Sequence, residues 1–141
     1  VMMGPPVENG FHRFTFVGEV SSHAAYWSIG VFQDPPLPEL GGSGRSVAVG
    51  EEAGTSGWSL SSGGNYFHDG NKTRGKTASW NTPGCEATVE LDLVRKKGRF
   101  IPSVGVQTAD FDLDDATLPL HIAICLGTGA RMRLKDHTFE S

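Results

Sequence analysis

The sequence has few cysteines, and this shortage limits what chemistry the chain can carry. Two occur among 141 residues, Cys85 and Cys125, forty positions apart and without Cys-x-x-Cys spacing. They therefore give neither a zinc site nor a redox motif. A chain of this length buries enough surface to need no disulfide, so we predict two buried, reduced thiols and no cofactor.

Long apolar runs and an excess of basic residues are also missing. No run approaches the roughly 18 apolar residues of a spanning helix, and the opening Val1–Pro6 lacks the basic region of a signal peptide. The net charge of −4 argues against the concentrated basic face of a nucleic-acid-binding domain. We therefore expect an intracellular protein, cytoplasmic or nuclear, with no membrane partner and no nucleic-acid partner.

Glycine and proline, by contrast, are abundant and spread along the chain, with 19 and 8 copies. Turn residues between short apolar runs are typical of a sandwich or barrel, and no stretch of ten residues has sustained helical periodicity. We predict about ten strands with little or no helix. They cover Phe14–Val20, Tyr26–Phe32, Ser46–Val49, Gly57–Leu60, Asn65–His68, Glu86–Val94, Arg99–Ile101, Val104–Phe111, Leu118–Leu126 and Ala130–Leu134.

Five segments of the chain resemble motifs of the SPRY domain family, and they follow one another along the chain in the same order as in that family. Gly57–Leu60 and Gly64–Gly70 resemble its Gly-Trp-x-Leu strand and Tyr-x-His-x-Gly hairpin. The other three are Trp27–Val31, Val89–Leu93 and Leu118–Ala123. The likeness extends from about Pro5 to Leu134. It implies one domain over residues 1–141, folded as a bent antiparallel β-sandwich, and we expect this domain to belong to a longer protein.

The resemblance also implies a function, since SPRY domains are mostly non-catalytic binding modules in larger assemblies. We therefore expect an adaptor or scaffold that binds a protein or short peptide through loops at one end of the sandwich. Carried over residue by residue, the family's contact positions form two groups along the chain. These are Phe32, Gln33, Asp34, Arg45 and Ala48, and then Cys125, Leu126 and Gly127.

The acidic segment near Asp110 offers a secondary contact. A calcium loop that starts there would need glycine at its sixth position and glutamate at its twelfth, where Asp115 and His121 stand. An exposed acidic turn is favoured instead, and a contact for a basic partner remains open, with Asp112, Asp114 and Asp115 as its candidates.

Trp80 lies in a predicted loop and is the other secondary candidate, because an exposed loop tryptophan is a typical binding hot spot. With Asn81 it could also form the aromatic platform of a carbohydrate-binding sandwich, which is our alternative function. Trp27 and Trp58 are predicted to be core. An enzyme is disfavoured, because no set of residues supplies a nucleophile, a base and an orienting group.

Overall fold

The computed structural model describes residues 2–19, 27–33, 57–68, 71–82, 84–114, 116, 118–126 and 131–140. Within these ranges the chain forms eleven β-strands and no helix. The strands are β1 (Met2–Val7), β2 (Phe11–Gly18), β3 (Trp27–Gln33), β4 (Gly57–Ser61), β5 (Tyr66–His68), β6 (Asn71–Thr73), β7 (Glu86–Asp92), β8 (Lys97–Pro102), β9 (Ala109–Asp112), β10 (Leu120–Leu126) and β11 (Met132–Glu140).

The strands form two antiparallel sheets that face each other. Sheet A has the order β1-β10-β3-β4-β5-β6, and sheet B has the order β11-β2-β7-β8-β9. Side chains alternate along each strand, so one face of each sheet supplies the core. Strand β7 shows this well, since Ala87, Val89 and Leu91 are buried and the residues between them are only partly buried. The predicted all-β sandwich is confirmed.

Large aromatic side chains dominate the space between the sheets. Trp27, Trp58 and Trp80 all belong to the core, together with Phe14 and Phe100. Burial of such large apolar side chains removes much surface from water and is a major stabilising contribution to the sandwich. The core positions predicted for Trp27 and Trp58 are confirmed, and Cys85 is a buried, free thiol as predicted.

Several strand boundaries differ from the sequence predictions. Strands β1 and β6 were not predicted, because both are short edge strands with weak apolar patterns. The strand predicted at Val104–Phe111 is wrong in its first half, where the chain bends with Gly105 at φ 75°, and only Ala109–Asp112 pair. The strand predicted at Ser46–Val49 lies outside the described residues.

The last strand is longer than predicted and lies at an edge of sheet B. Strand β11 continues through Glu140, and its residues are largely exposed. Two of its basic residues form ion pairs, Arg133 with Glu19 and Lys135 with Glu86. A polar edge strand has no apolar periodicity to reveal it, which is why the sequence indicated an end at Leu134.

Candidate partner-binding groove

A groove of about 480 Å³ opens between the two sheets, at the end of the sandwich where β3 ends and β4 begins. We call it the end groove. The described residues of its lining are Gln33, Trp58, Tyr66, His68, Phe111, Asp112, Asp114 and Ala116. Pockets that hold small ligands or anchoring side chains are commonly about 300–1,000 Å³, so the end groove is large enough for such an anchor.

The β4–β5 hairpin builds one wall of the end groove. Its tight turn is closed by a hydrogen bond of 2.9 Å from the Ser61 amide to the Asn65 carbonyl. This turn places Trp58 directly opposite His68, and their rings stack with centroids 5.1 Å apart and planes 5° apart. The His68 Nδ1 atom lies 2.8 Å from the Gly57 carbonyl oxygen and donates to it when protonated at that nitrogen.

Strand β9 supplies the opposite wall through Phe111. The Phe111 ring lies 5.3 Å from the Trp58 ring at 18° and 4.8 Å from the Phe100 ring. Gly98 is its cross-strand neighbour on β8, and any Cβ there would overlap the Phe111 ring. Trp58 and Phe111 are only 5% and 6% exposed, so the groove floor is a packed aromatic surface held from both sheets.

Carboxylates form the rim above this floor. Asp112 is the last residue of β9, and exposed Asp114 follows two residues later. Asp112 forms an ion pair with Lys97, its cross-strand neighbour, and this pair raises the pKa of the lysine. Burial and the charge of Asp112 together raise the pKa of Tyr66, whose hydroxyl therefore stays protonated at neutral pH. The negative charge of the rim thus reaches into the groove.

Three of the predicted contact residues line the end groove, namely Gln33, Asp112 and Asp114. Phe32 does not, and its prediction as an accessible contact is wrong. It is 0% exposed, packs against Ala123 and stacks on His121 with centroids 5.1 Å apart. Alternation along β3 turns Val31 to the core and Phe32 to the other face of sheet A, which is also buried there.

Of the second group of predicted contact residues, Cys125 and Leu126 are described, and they lie far from the end groove. Strand β10 pairs with β3 so that Leu120 is opposite Gln33, whereas Cys125 and Leu126 are opposite Ser28 and Trp27. Six residues of strand separate the two ends, which is about 20 Å at 3.3 Å per residue. The expectation of one surface containing Gln33 and Leu126 is therefore wrong. Asp34, Arg45, Ala48, Asp115 and Gly127 lie outside the described residues.

Trp80 is fully buried, so the prediction that it is an exposed secondary contact is wrong. Its ring lies 6.2 Å from the Trp27 ring, and its backbone carbonyl accepts a hydrogen bond of 3.2 Å from the Trp27 indole nitrogen. A segment without regular secondary structure can still contribute a core side chain when its backbone carbonyl accepts a hydrogen bond from the core, as that of Trp80 does. The carbohydrate platform proposed on Trp80 and Asn81 loses its aromatic face.

Sequence reasoning missed four aromatic residues of the end groove. Trp58 was predicted to be core, Tyr66 and His68 lie in the predicted hairpin, and Phe111 ends a predicted strand. No binding role was assigned to any of them. A signal was present, because the short Ser61–Gly64 turn determines which residues of β4 and β5 face each other. The contact of Phe111 with Trp58 could not be found this way, since it joins different sheets.

The described residues contain no group of three or more His, Cys, Asp or Glu side chains placed to hold a metal ion. In the same part of the chain, no helix is long and apolar enough to cross a membrane. The end groove offers an aromatic floor, hydrogen-bonding groups and carboxylates. Such a set suits recognition of an anchoring side chain.

No family model matches the sequence, and no curated protein matches it. Solved structures do match its fold. The SPRY domain of human HERC1 superposes with a TM-score of 0.70 at 17% identity, over 94% of this chain and 79% of that one. The TRIM65 PSpry domain gives 0.68 at 19% identity, over 94% and 68%. Stonustoxin gives 0.67 at 15% identity, over 92% of this chain and 20% of that chain. The chain therefore has a SPRY-like fold.

Proposed function

We propose that this SPRY-like chain is a non-catalytic module that binds a protein or peptide segment at its end groove. In this proposal it acts as one domain of a longer intracellular adaptor or scaffold. A two-sheet scaffold holds its terminal loops in place, so little conformational entropy is lost when a partner docks on them. The likeness to SPRY domains supports this class of function, and the groove gives it a location.

The observation that carries the proposal is the composition of the groove. Interface hot spots consist of a rigid, largely apolar pocket surrounded by polar groups that exclude water. The end groove has this arrangement, with Trp58 and Phe111 beneath and Gln33, Asp112 and Asp114 around. The lining also includes Gln33, the last residue of β3, which is one of the predicted contact residues.

Affinity capture from lysate, followed by reconstitution with the purified captured protein, tests the proposal. A groove variant carrying Gln33→Arg and Asp114→Lys is compared with an opposite-end variant, Arg131→Glu, next to β11. All three residues are at least partly exposed, so both variants should keep the thermal midpoint of the wild type. We expect the groove variant to lose at least about tenfold in affinity, which is about 1.4 kcal/mol, and the opposite-end variant to bind normally.

Two results would contradict this proposal. Loss of binding only in Arg131→Glu would place the partner at the other end of the sandwich, beside Leu126. Equal binding of the reconstituted partner by wild type and both variants would exclude the end groove as the binding surface.

A further inference from the structure

We propose that the anchor accepted by the end groove is an arginine side chain from an extended segment of the partner. This inference rests on the proposed function and adds the chemistry of the ligand to it. It follows from three properties of the groove: stacked aromatic rings, carboxylates in the same lining, and no lysine or arginine among the lining residues that the structure describes.

The partly exposed rings of Tyr66 and His68 give a planar cation a surface to stack on, next to Trp58 and Phe111, which are only 5% and 6% exposed. The Trp58 and His68 rings are stacked with their planes 5° apart, and the Phe111 plane is within 18° of the Trp58 plane, so the three rings are nearly parallel. Guanidinium groups stack on aromatic faces, and the attraction is strongest for tryptophan. Because Trp58 and Phe111 are held from both sheets, they do not need to rearrange when a ligand arrives.

Two carboxylates in the lining can supply acceptors for a guanidinium. Asp112 and Asp114 belong to the lining beside Phe111, and the charge of Asp112 reaches the half-buried hydroxyl of Tyr66. A guanidinium can donate two parallel hydrogen bonds to one carboxylate, whereas an ammonium acts as a point charge. This difference favours arginine over lysine as the anchor.

Lys97 is the competing cation. It pairs with Asp112 from the outer side of β8 and does not belong to the groove lining. Lys97 also interacts electrostatically with Asp114, so one described lysine faces two described carboxylates and leaves the rim with a net negative charge. An exposed ion pair of this kind contributes little to stability, so Asp112 can exchange lysine for an arriving guanidinium at low cost.

The test begins with selection of random twelve-residue peptides, displayed on phage, against the purified chain. Selected sequences are then synthesised in two forms, one with arginine and one with citrulline, which has nearly the same shape but no charge. Affinities are measured for the wild type, for Asp114→Lys and for Asp136→Lys. Asp136 is a matched control, because it is an exposed aspartate on β11 at the opposite edge of sheet B. The indole N–H signal of Trp58 in NMR spectra reports contact with the groove.

The proposal predicts peptides enriched in arginine that shift the Trp58 indole signal. Both citrulline and Asp114→Lys should weaken their binding at least tenfold, and Asp136→Lys should change it less than twofold. Peptides that shift the Trp58 signal but show no preference for arginine over citrulline would overturn the arginine inference and leave the proposed function standing. Recovery of no peptide that shifts the Trp58 signal would overturn both.

Discussion

The two ends of the sandwich are built differently. At the end opposite the groove, which we call the closed end, backbone and side chains of Trp27, Ser62 and Trp80 bond to one another. The Ser62 amide donates to the Trp27 carbonyl at 2.7 Å, and the Trp80 amide donates to the Ser62 carbonyl at 2.8 Å. The Trp27 ring lies directly over Gly18. The end groove has aromatic rings too, but carboxylates at its rim remain exposed.

This difference separates two roles that the same residue types can have. At the closed end, Trp27 packs on Gly18 of β2 and is hydrogen-bonded to Ser62 and Trp80, and both tryptophans are fully buried. Trp58 at the end groove is almost as buried, yet its neighbours include charged and half-buried polar side chains. We therefore expect substitutions at the closed end to change stability, and substitutions at the groove rim to change binding with little effect on stability.

The largest effect is expected for Trp27→Ala at the closed end. Removal of a fully buried tryptophan leaves a cavity and also leaves the Trp80 carbonyl without its indole donor. The expected loss in free energy of unfolding is about 3–5 kcal/mol, measured by urea denaturation followed by circular dichroism. Val106→Ala, at a position that is 96% exposed, is the control and should change stability by less than about 0.5 kcal/mol. A loss below about 1 kcal/mol for Trp27→Ala would contradict this account of the closed end.

A matched pair of glycine substitutions sharpens the comparison. Gly18 lies under the Trp27 ring and Gly98 lies under the Phe111 ring, so a methyl group at either position overlaps an aromatic ring. Each Gly→Ala change should cost about 1–3 kcal/mol through overpacking. Only Gly98→Ala displaces part of the groove floor, so only it should also weaken binding of a groove ligand in titrations below the unfolding transition. Equal binding by both variants would show that Phe111 does not shape the site.

The smallest expected effect is a pH dependence at the polar surface of sheet B. Burial raises the pKa of Asp110, but hydrogen bonds from Arg99 at 2.8 and 3.2 Å and from Thr108 at 3.0 Å outweigh it and lower the pKa overall. The stability from this group is therefore present above the unfolded pKa of about 3.9 and is lost as pH falls through the lower folded pKa.

Asp110→Asn should accordingly reduce the free energy of unfolding by no more than about 1 kcal/mol at pH 6, since both partners are exposed. The difference from wild type should vanish near pH 2, which denaturation curves at several pH values would show. A difference that grows as pH falls would have the wrong sign for a carboxylate stabilised in the folded state.

Much of the fold could be predicted from local pattern alone. The alternation in β7, the apolar run in β10 and the turn at Ser61–Gly64 each determine a strand or hairpin without reference to distant residues. The acidic rim was also predicted, because Asp112 and Asp114 follow a strand in the sequence. Edge strands β1, β6 and β11 were missed or shortened, since their pairing comes from neighbours and not from their own periodicity.

The sequence by itself determined the class of fold, the core tryptophans on β3 and β4, and the acidic segment after β9. These follow from the period-two alternation of side chains and from turn chemistry, which act over a few residues. The tertiary structure decided that Trp80 is core, that Phe32 is covered, and that Gln33 and Leu126 lie at opposite ends. It also brought Phe111 against Trp58 to form the groove. Strand register and the packing of one sheet on the other bring together residues that are tens of positions apart in the sequence, and no pattern within a few residues encodes such contacts.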